Sequence, residues 1–165
     1  MNTPLAESGS LVLVDNDGED AIILTNAVRR CTHAVPIVHL AAGEELLEAL
    51  RTDSLPSRCV VLLDLNMPTM DGFAVLKQLR LGPDRNLLPV VIYTTSSDQI
   101  QIDRAYAAGA NAFLTKPASM HEMIELVDAV ISHWLTFGKT HSGKSPSSHI
   151  SSPISSPTDT SPRSS

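Results

Sequence analysis

Cysteine is scarce in this sequence, and long basic or apolar runs are missing; each shortage removes a class of protein. The two cysteines, Cys31 and Cys59, form no CxxC pair and have no zinc-ligand spacing, so both are read as reduced packing residues. The formal net charge is −6, and no run of Lys and Arg is long enough to follow a phosphate backbone, which argues against direct nucleic-acid binding. No apolar stretch approaches the ~20 residues that cross a bilayer, and the opening MNTPLAESGS carries neither the basic nor the apolar region of a targeting signal. A cytoplasmic protein without membrane contact is expected. The letters of GxxxxGK[ST] occur only at 138–145, in the Ser- and Pro-rich tail and after a helical rather than a strand-like segment, and GxGxxG does not occur, so no such element supports a nucleotide enzyme.

What is present is alternation. Short apolar, β-rich runs at Ser10 to Asp15, Pro36 to Ala41, Arg58 to Asp64, Pro89 to Thr94 and Ala110 to Thr115 are separated by segments of helical period at 19–31, 43–53, 72–81 and 98–108. A last helix carries Met120, Met123, Ile124, Val127, Val130, Ile131 and Trp134 on one stripe and should lie against a sheet. Asp71 is placed to cap the third helix and Ser97 or Asp98 the fourth, while Gly109 sits where a left-handed residue would stop that helix. VVLLDL and PVVIYT are apolar on both faces, as strands covered on each side by helices are. The fold expected is α/β, a doubly wound five-stranded parallel sheet of order 2-1-3-4-5. Residues 1–9 are read as an N-terminal extension, 10–137 as the domain and 138–165, rich in Ser and Pro, as a disordered tail.

In an open parallel sheet the ligand crevice lies at the carboxyl ends of the strands, where the strand order reverses. Strands 1 and 3 meet there, so Asp15 and Asp64, which end them, should converge. Carboxylates held close repel, and the usual remedies are a raised pKa, a hard divalent cation or a basic residue. Lys116, just after strand 5, is such a residue. Taken alone, the four acids in LVLVDNDGED describe a solvated turn and helix start as readily as a metal site. Asp15, Asp64, Thr94 and Lys116 all falling at strand ends favours a built site.

CVVLLDLNMPTMDGFAVL, PVVIYTTSSD, AGANAFLTKP and the early VDND, at these distances, resemble the response-regulator receiver domain over about residues 10–135. LDLNMP, TTSSD, GANAFLTKP and SHWL resemble, more narrowly, single-domain regulators that serve phytochrome-type histidine kinases. The resemblance implies a flavodoxin-like fold in which Asp64 accepts a phosphoryl group from a sensor histidine kinase as a carboxylate nucleophile. It implies Mg²⁺ held by Asp15, Asn16, Asp64 and the backbone carbonyl of Asn66. Thr94 and Lys116 would meet phosphoryl oxygens, and Phe113 would be the aromatic that turns inward with Thr94. It also implies a cis Lys116–Pro117 bond, at a cost of only ~0.5–1 kcal/mol.

Asn16 departs from the family, where many members have a second acid; an amide gives one oxygen and no charge, so weaker Mg²⁺ binding is expected. Asp17 is a candidate source of the missing charge, while Glu19 and Asp20 are assigned to the first helical turn, where acids favour the dipole. No histidine is assigned to catalysis. DND followed by Gly18 also resembles the start of haloacid-dehalogenase-type phosphatases, but Glu19 and Asp20 stand where that family needs a Thr, and no adjacent acids follow Lys116. The stronger alternative is a degenerate receiver that binds partners without phosphorylation. About 30 polar residues follow Trp134, too few for an output domain. The signal should therefore leave through protein contacts. Ile100, Ile102 and Tyr106 suggest a homodimer or kinase contact on a helix 4, strand 5, helix 5 face. The protein is read as a phosphoacceptor rather than an enzyme.

Overall fold

A computed structural model describes residues 9–82 and 87–136. The extension expected at 1–9, Gly9 excepted, and the tail at 138–165 lie outside the described residues. Five β-α units follow one another: β1 Ser10–Val14, α1 Gly18–Arg30, β2 Ile37–Leu40, α2 Gly43–Arg51, β3 Cys59–Leu63, α3 Gly72–Leu79, β4 Val90–Thr94, α4 Gln99–Ala107, β5 Ala112–Thr115 and α5 Met120–Ile131. A π-helical turn, Ser132–Thr136, extends α5. All strands pair in parallel in the order β2-β1-β3-β4-β5, as the alternation predicts.

Strand side chains alternate between two cores. Leu11, Leu13, Val60, Leu62, Val91 and Tyr93 face α1 and α5, against Leu24, Val28, Met123, Val127 and Ile131. Val12, Val14, Val61, Leu63, Val90 and Ile92 face the other way, against Leu46 of α2, Val75, Leu76 and Leu79 of α3 and Ala105 of α4. Burying both faces explains why these strands read as continuous apolar runs. Each fully buried Leu, Ile or Val contributes on the order of 1.5–3 kcal/mol. In α5, Met123, Val127, Val130 and Ile131 are buried, while Met120 and Ile124, with Trp134 of the π-helical turn, pack half-buried on the same core.

Because α1 and α3 cover opposite faces of the adjacent β1 and β3, a crevice opens between the strands' carboxyl ends. The helices that start at this edge are anchored by their caps. Side chains of Asp17, Asp71, Asp98 and Ser119 accept from Glu19 N, Ala74 N, Ile100 N and Glu122 N, so Asp98 rather than Ser97 caps α4. Gly109, with φ of 100°, ends α4 in the left-handed region and donates its N–H to the Tyr106 carbonyl at 3.0 Å. The Lys116–Pro117 bond, expected to be cis, is trans, as are all peptide bonds among the described residues. Trans is the ordinary X–Pro isomer, and with it the Lys116 N–H still reaches the Thr94 carbonyl at 2.7 Å.

Gly72 lets α3 begin directly beneath the end of β3. Its N–H donates to the Leu65 carbonyl at 3.1 Å, and a Cβ there would stand 2.4 Å from the Asp64 carbonyl oxygen. Backbone cannot swing aside as a side-chain tip can. Gly72→Ala is therefore expected to destabilise the chain by about 1–3 kcal/mol, read as a lower urea midpoint at unchanged slope. An unshifted midpoint would show that α3 is free to move away from Asp64.

Candidate functional site

The residues expected to act together are brought together at this edge. Asp15 follows β1 directly, and its backbone N–H donates to the Leu40 carbonyl at 3.0 Å; Asp64 follows β3, with its N–H on the Val14 carbonyl at 3.0 Å. These ladder bonds fix the two acids side by side, with Asp15 fully buried and Asp64 at 5% exposure. Between them lies the Lys116 ammonium. Its Nζ is 2.7 Å from Asp15 Oδ2 and 3.6 Å from Asp64 Oδ2, so it donates to the first and holds the second at ion-pair range only. The same Nζ lies 5.4 Å from the centre of the Tyr93 ring.

Backbone groups complete the carboxylates' partners. Asp15 Oδ1 accepts from the Asp17 N–H at 2.9 Å, and Asp64 Oδ1 from the Asn66 N–H at 3.3 Å. Thr94 ends β4 fully buried, and its Oγ1 accepts from the Asn66 side-chain amide at 3.2 Å. Phe113 is half-buried against the α2, α3 and α4 layer, opposite Ile92 in the sheet register.

Two expectations about the acids are corrected. Asp17 does not supply charge to the crevice: it is exposed, and its carboxylate is committed to capping α1. Asp20, assigned only a helix-start role, reaches into the crevice and accepts from Lys116 Nζ at 2.6 Å. One helical turn past Asp17, it lies on the side of α1 that meets Lys116. Sequence reasoning also missed the Asn66 side chain and His39, whose Nε2 lies 2.8 Å from the Asp15 carbonyl oxygen. His39 pairs with Leu13 in the β1–β2 register, two residues before Asp15, which was the available signal.

Burial pushes the Asp15 carboxyl up from its ordinary value, against the hydrogen bonds from Lys116 and Asp17 that pull it down. For Lys116, burial pulls the ammonium down, but its hydrogen bonds to Asp15 and Asp20 outweigh this and hold it above its ordinary 10.5. The ammonium thus stays charged throughout the neutral range.

Asp15, Asp64, the Asn66 carbonyl and the Asn16 amide are all hard oxygen donors, the kind that suits a Mg²⁺-type ion. Only two of them are anionic. Asn16 is exposed, and among the described residues no three His, Cys, Asp or Glu side chains gather as a metal-binding group. The set fits a hard divalent cation that keeps part of its water shell. A groove of about 670 Å³ between α3 and α4, lined by Phe73, Lys77, Leu81 and Arg104 among others, contains none of the crevice residues.

Sheet order and helix placement define a flavodoxin-like fold of the CheY type. Residues 11–128 match the response regulator receiver domain, and the chain belongs to that family. In sequence it is 31% identical over 135 residues to FilR2, a probable methanogenesis regulatory protein of Methanothrix harundinacea, covering 79% of this chain and 86% of that one. It is 30% identical over 129 residues to the response regulator Rcp1 of Synechocystis, covering 76% and 88%. In structure it is similar to the phosphorylated cyanobacterial phytochrome response regulator RcpA, at 27% identity and a TM-score of 0.72, covering 82% of this chain and 99% of that one. It is also similar to the Mn²⁺-bound form of Rcp1, at 26% identity and a TM-score of 0.69, covering 80% and 98%. Among the described residues no helix is long and apolar enough to cross a membrane.

Three buried groups give the chain an alkaline limit. Burial pushes the Cys59 thiol up to about 11 from 9.0, raises the Tyr93 phenol above its ordinary 10.0, and Lys116 is held above 10.5 by its carboxylates. Each keeps its proton in the folded chain at a pH where the unfolded chain has released it, so stability is complete below about pH 9 and falls as pH rises beyond it. Melting temperature should decline progressively above that point, and the decline above about pH 10 should be shallower in Tyr93→Phe. A constant melting temperature up to about pH 11 would contradict this.

Proposed function

We propose that the chain is a single-domain response regulator that takes a phosphoryl group from the phosphohistidine of a sensor histidine kinase onto Asp64. The observation that carries this is the Asp15–Lys116–Asp64 cluster, buried at the switch point of the sheet beside the Thr94 hydroxyl. Asp64 Oδ2 accepts no hydrogen bond as short as those at Asp15, and is the oxygen available for attack at phosphorus. The new O–P bond forms as the P–N bond breaks, and its electron pair leaves with the kinase imidazole, giving an aspartyl phosphate.

Charge control around the transferred group falls to this chain's own residues. Lys116 pairs with a phosphoryl oxygen as the two carboxylates release part of their hold on it. The Thr94 hydroxyl turns from the Asn66 amide to donate to a second oxygen, and Phe113 moves into the space beneath. Asp15, Asp64, the Asn66 carbonyl and Asn16 would hold Mg²⁺, which when bound neutralises phosphoryl charge. With Asn16 neutral, that affinity is lower than two adjacent acids would give.

The phosphorylated state is communicated through protein contacts in the cytoplasm, by biasing a two-state surface of α4, β5 and α5. Ile100, at 75% exposure, and Tyr106, at 50%, support a homodimer or kinase contact there, and Ile102 is half-buried beside them. The likeness to RcpA and Rcp1 supports a phytochrome-type kinase as the donor. The receiver spans about 10–137.

Incubation with acetyl phosphate and Mg²⁺ should add one phosphoryl mass to the intact chain, and omission of Mg²⁺ or Asp64→Asn should abolish the gain. Folded chain that gains no mass at any Mg²⁺ concentration would instead favour a binding module that works without phosphorylation, and Asn16→Asp would be the first substitution to make.

A further inference from the structure

The Lys116 ammonium has three N–H bonds, and their distribution is unequal. Two go to carboxylates at 2.6 and 2.7 Å, Asp20 and Asp15, while Asp64 Oδ2 stands 3.6 Å away, beyond hydrogen-bond range. Asp15 is held by its strand and by the Asp17 N–H, so it cannot decide on which side the ammonium rests. Asp20 can, because it comes from α1, across the crevice from β3. The side chain of Lys116 is 9% exposed and that of Asp20 28%, so their contact is largely shielded from the solvent screening that weakens surface pairs.

We propose that Asp20 is a positioning residue of this site: it draws the Lys116 ammonium toward α1 and so leaves Asp64 Oδ2 free of a hydrogen bond in the unphosphorylated chain. This rests on the reading of Asp64 as the phosphoacceptor. A carboxylate oxygen that accepts a charge-assisted hydrogen bond is a poorer nucleophile, because its lone pair is already engaged. Without Asp20, two carboxylates remain within 4 Å, Asp15, which already accepts from this ammonium, and Asp64, to which the freed N–H could turn. The ammonium would then cap the oxygen that must attack. Once that oxygen bears a phosphoryl group, the same Lys116 is close enough to leave Asp20 for a phosphoryl oxygen.

Two readouts on the full chain test this. In Asp20→Ala, the side-chain ammonium resonance of Lys116, followed by ¹H–¹⁵N NMR and assigned with Lys116→Arg, should shift as its partner changes from Asp20 to Asp64. Acceptance of phosphoryl from acetyl phosphate should slow by about tenfold, the rate equivalent of one charge-assisted hydrogen bond gained by the nucleophile. Asp20→Glu, which keeps the carboxylate, should restore both. An unmoved resonance, or Asp20→Ala accepting phosphoryl as fast as the parent, overturns the proposal. If the parent chain itself takes up no phosphoryl group, the reading of Asp64 fails, and the resonance alone then decides whether Asp20 positions the ammonium.

Discussion

The crevice depends on one ammonium group. Asp15 and Asp64 are almost wholly withdrawn from water at adjacent strand ends, and two carboxylates so placed would repel each other and pay for lost hydration. Lys116 reconciles them by donating to one and standing within ion-pair range of the other. Removing one partner from a buried ion pair costs on the order of 3–5 kcal/mol, because it strands a charge away from water. One ammonium thus offsets part of the charge of two buried carboxylates at adjacent strand ends.

The sheet delivers these groups without their having to search. Parallel pairing of β1 with β2 and β3, and of β4 with β3 and β5, aligns the carboxyl ends of all strands on one edge. The residues immediately after β1 and β3, and the last residue of β4, are Asp15, Asp64 and Thr94, and Lys116 follows β5. Each is held by a backbone bond to a neighbouring strand, so a shift of one residue in any register would aim that side chain into a hydrophobic layer. Gly72 brings α3 against the Asp64 backbone, and Asp17 fixes the first turn of α1, from which Asp20 projects. Local helix-start chemistry thus sets the geometry of the charged cluster.

Much of this was legible in the sequence. Two-faced apolar runs gave the parallel sheet, Asp71 and Gly109 marked helix ends that the structure keeps, and the strand-end positions of Asp15, Asp64, Thr94 and Lys116 placed them in one crevice. What was not legible depends on angles between elements. The stretch DNDGED offers Asp17, Glu19 and Asp20 at nearly equivalent spacing, and only the placement of α1 relative to the residue after β5 selects Asp20 to meet Lys116. Asn66 was read for its carbonyl, yet its amide holds the Thr94 hydroxyl, a pairing across 28 residues that no local pattern announces. The Lys116–Pro117 isomer was taken from resemblance, and the two isomers differ too little in energy for sequence to choose between them.

The account stands on Asp64 being the atom donor of the new bond, out of three carboxylates within 4 Å of one lysine. The most direct measurement is to treat the chain with acetyl phosphate and Mg²⁺, reduce it with borohydride and map the product by peptide mass spectrometry. Reduction converts an aspartyl phosphate to homoserine and leaves free carboxylates untouched. The account predicts homoserine at position 64 and unchanged Asp15 and Asp20; homoserine at either of those positions, or at none in folded chain, would contradict it.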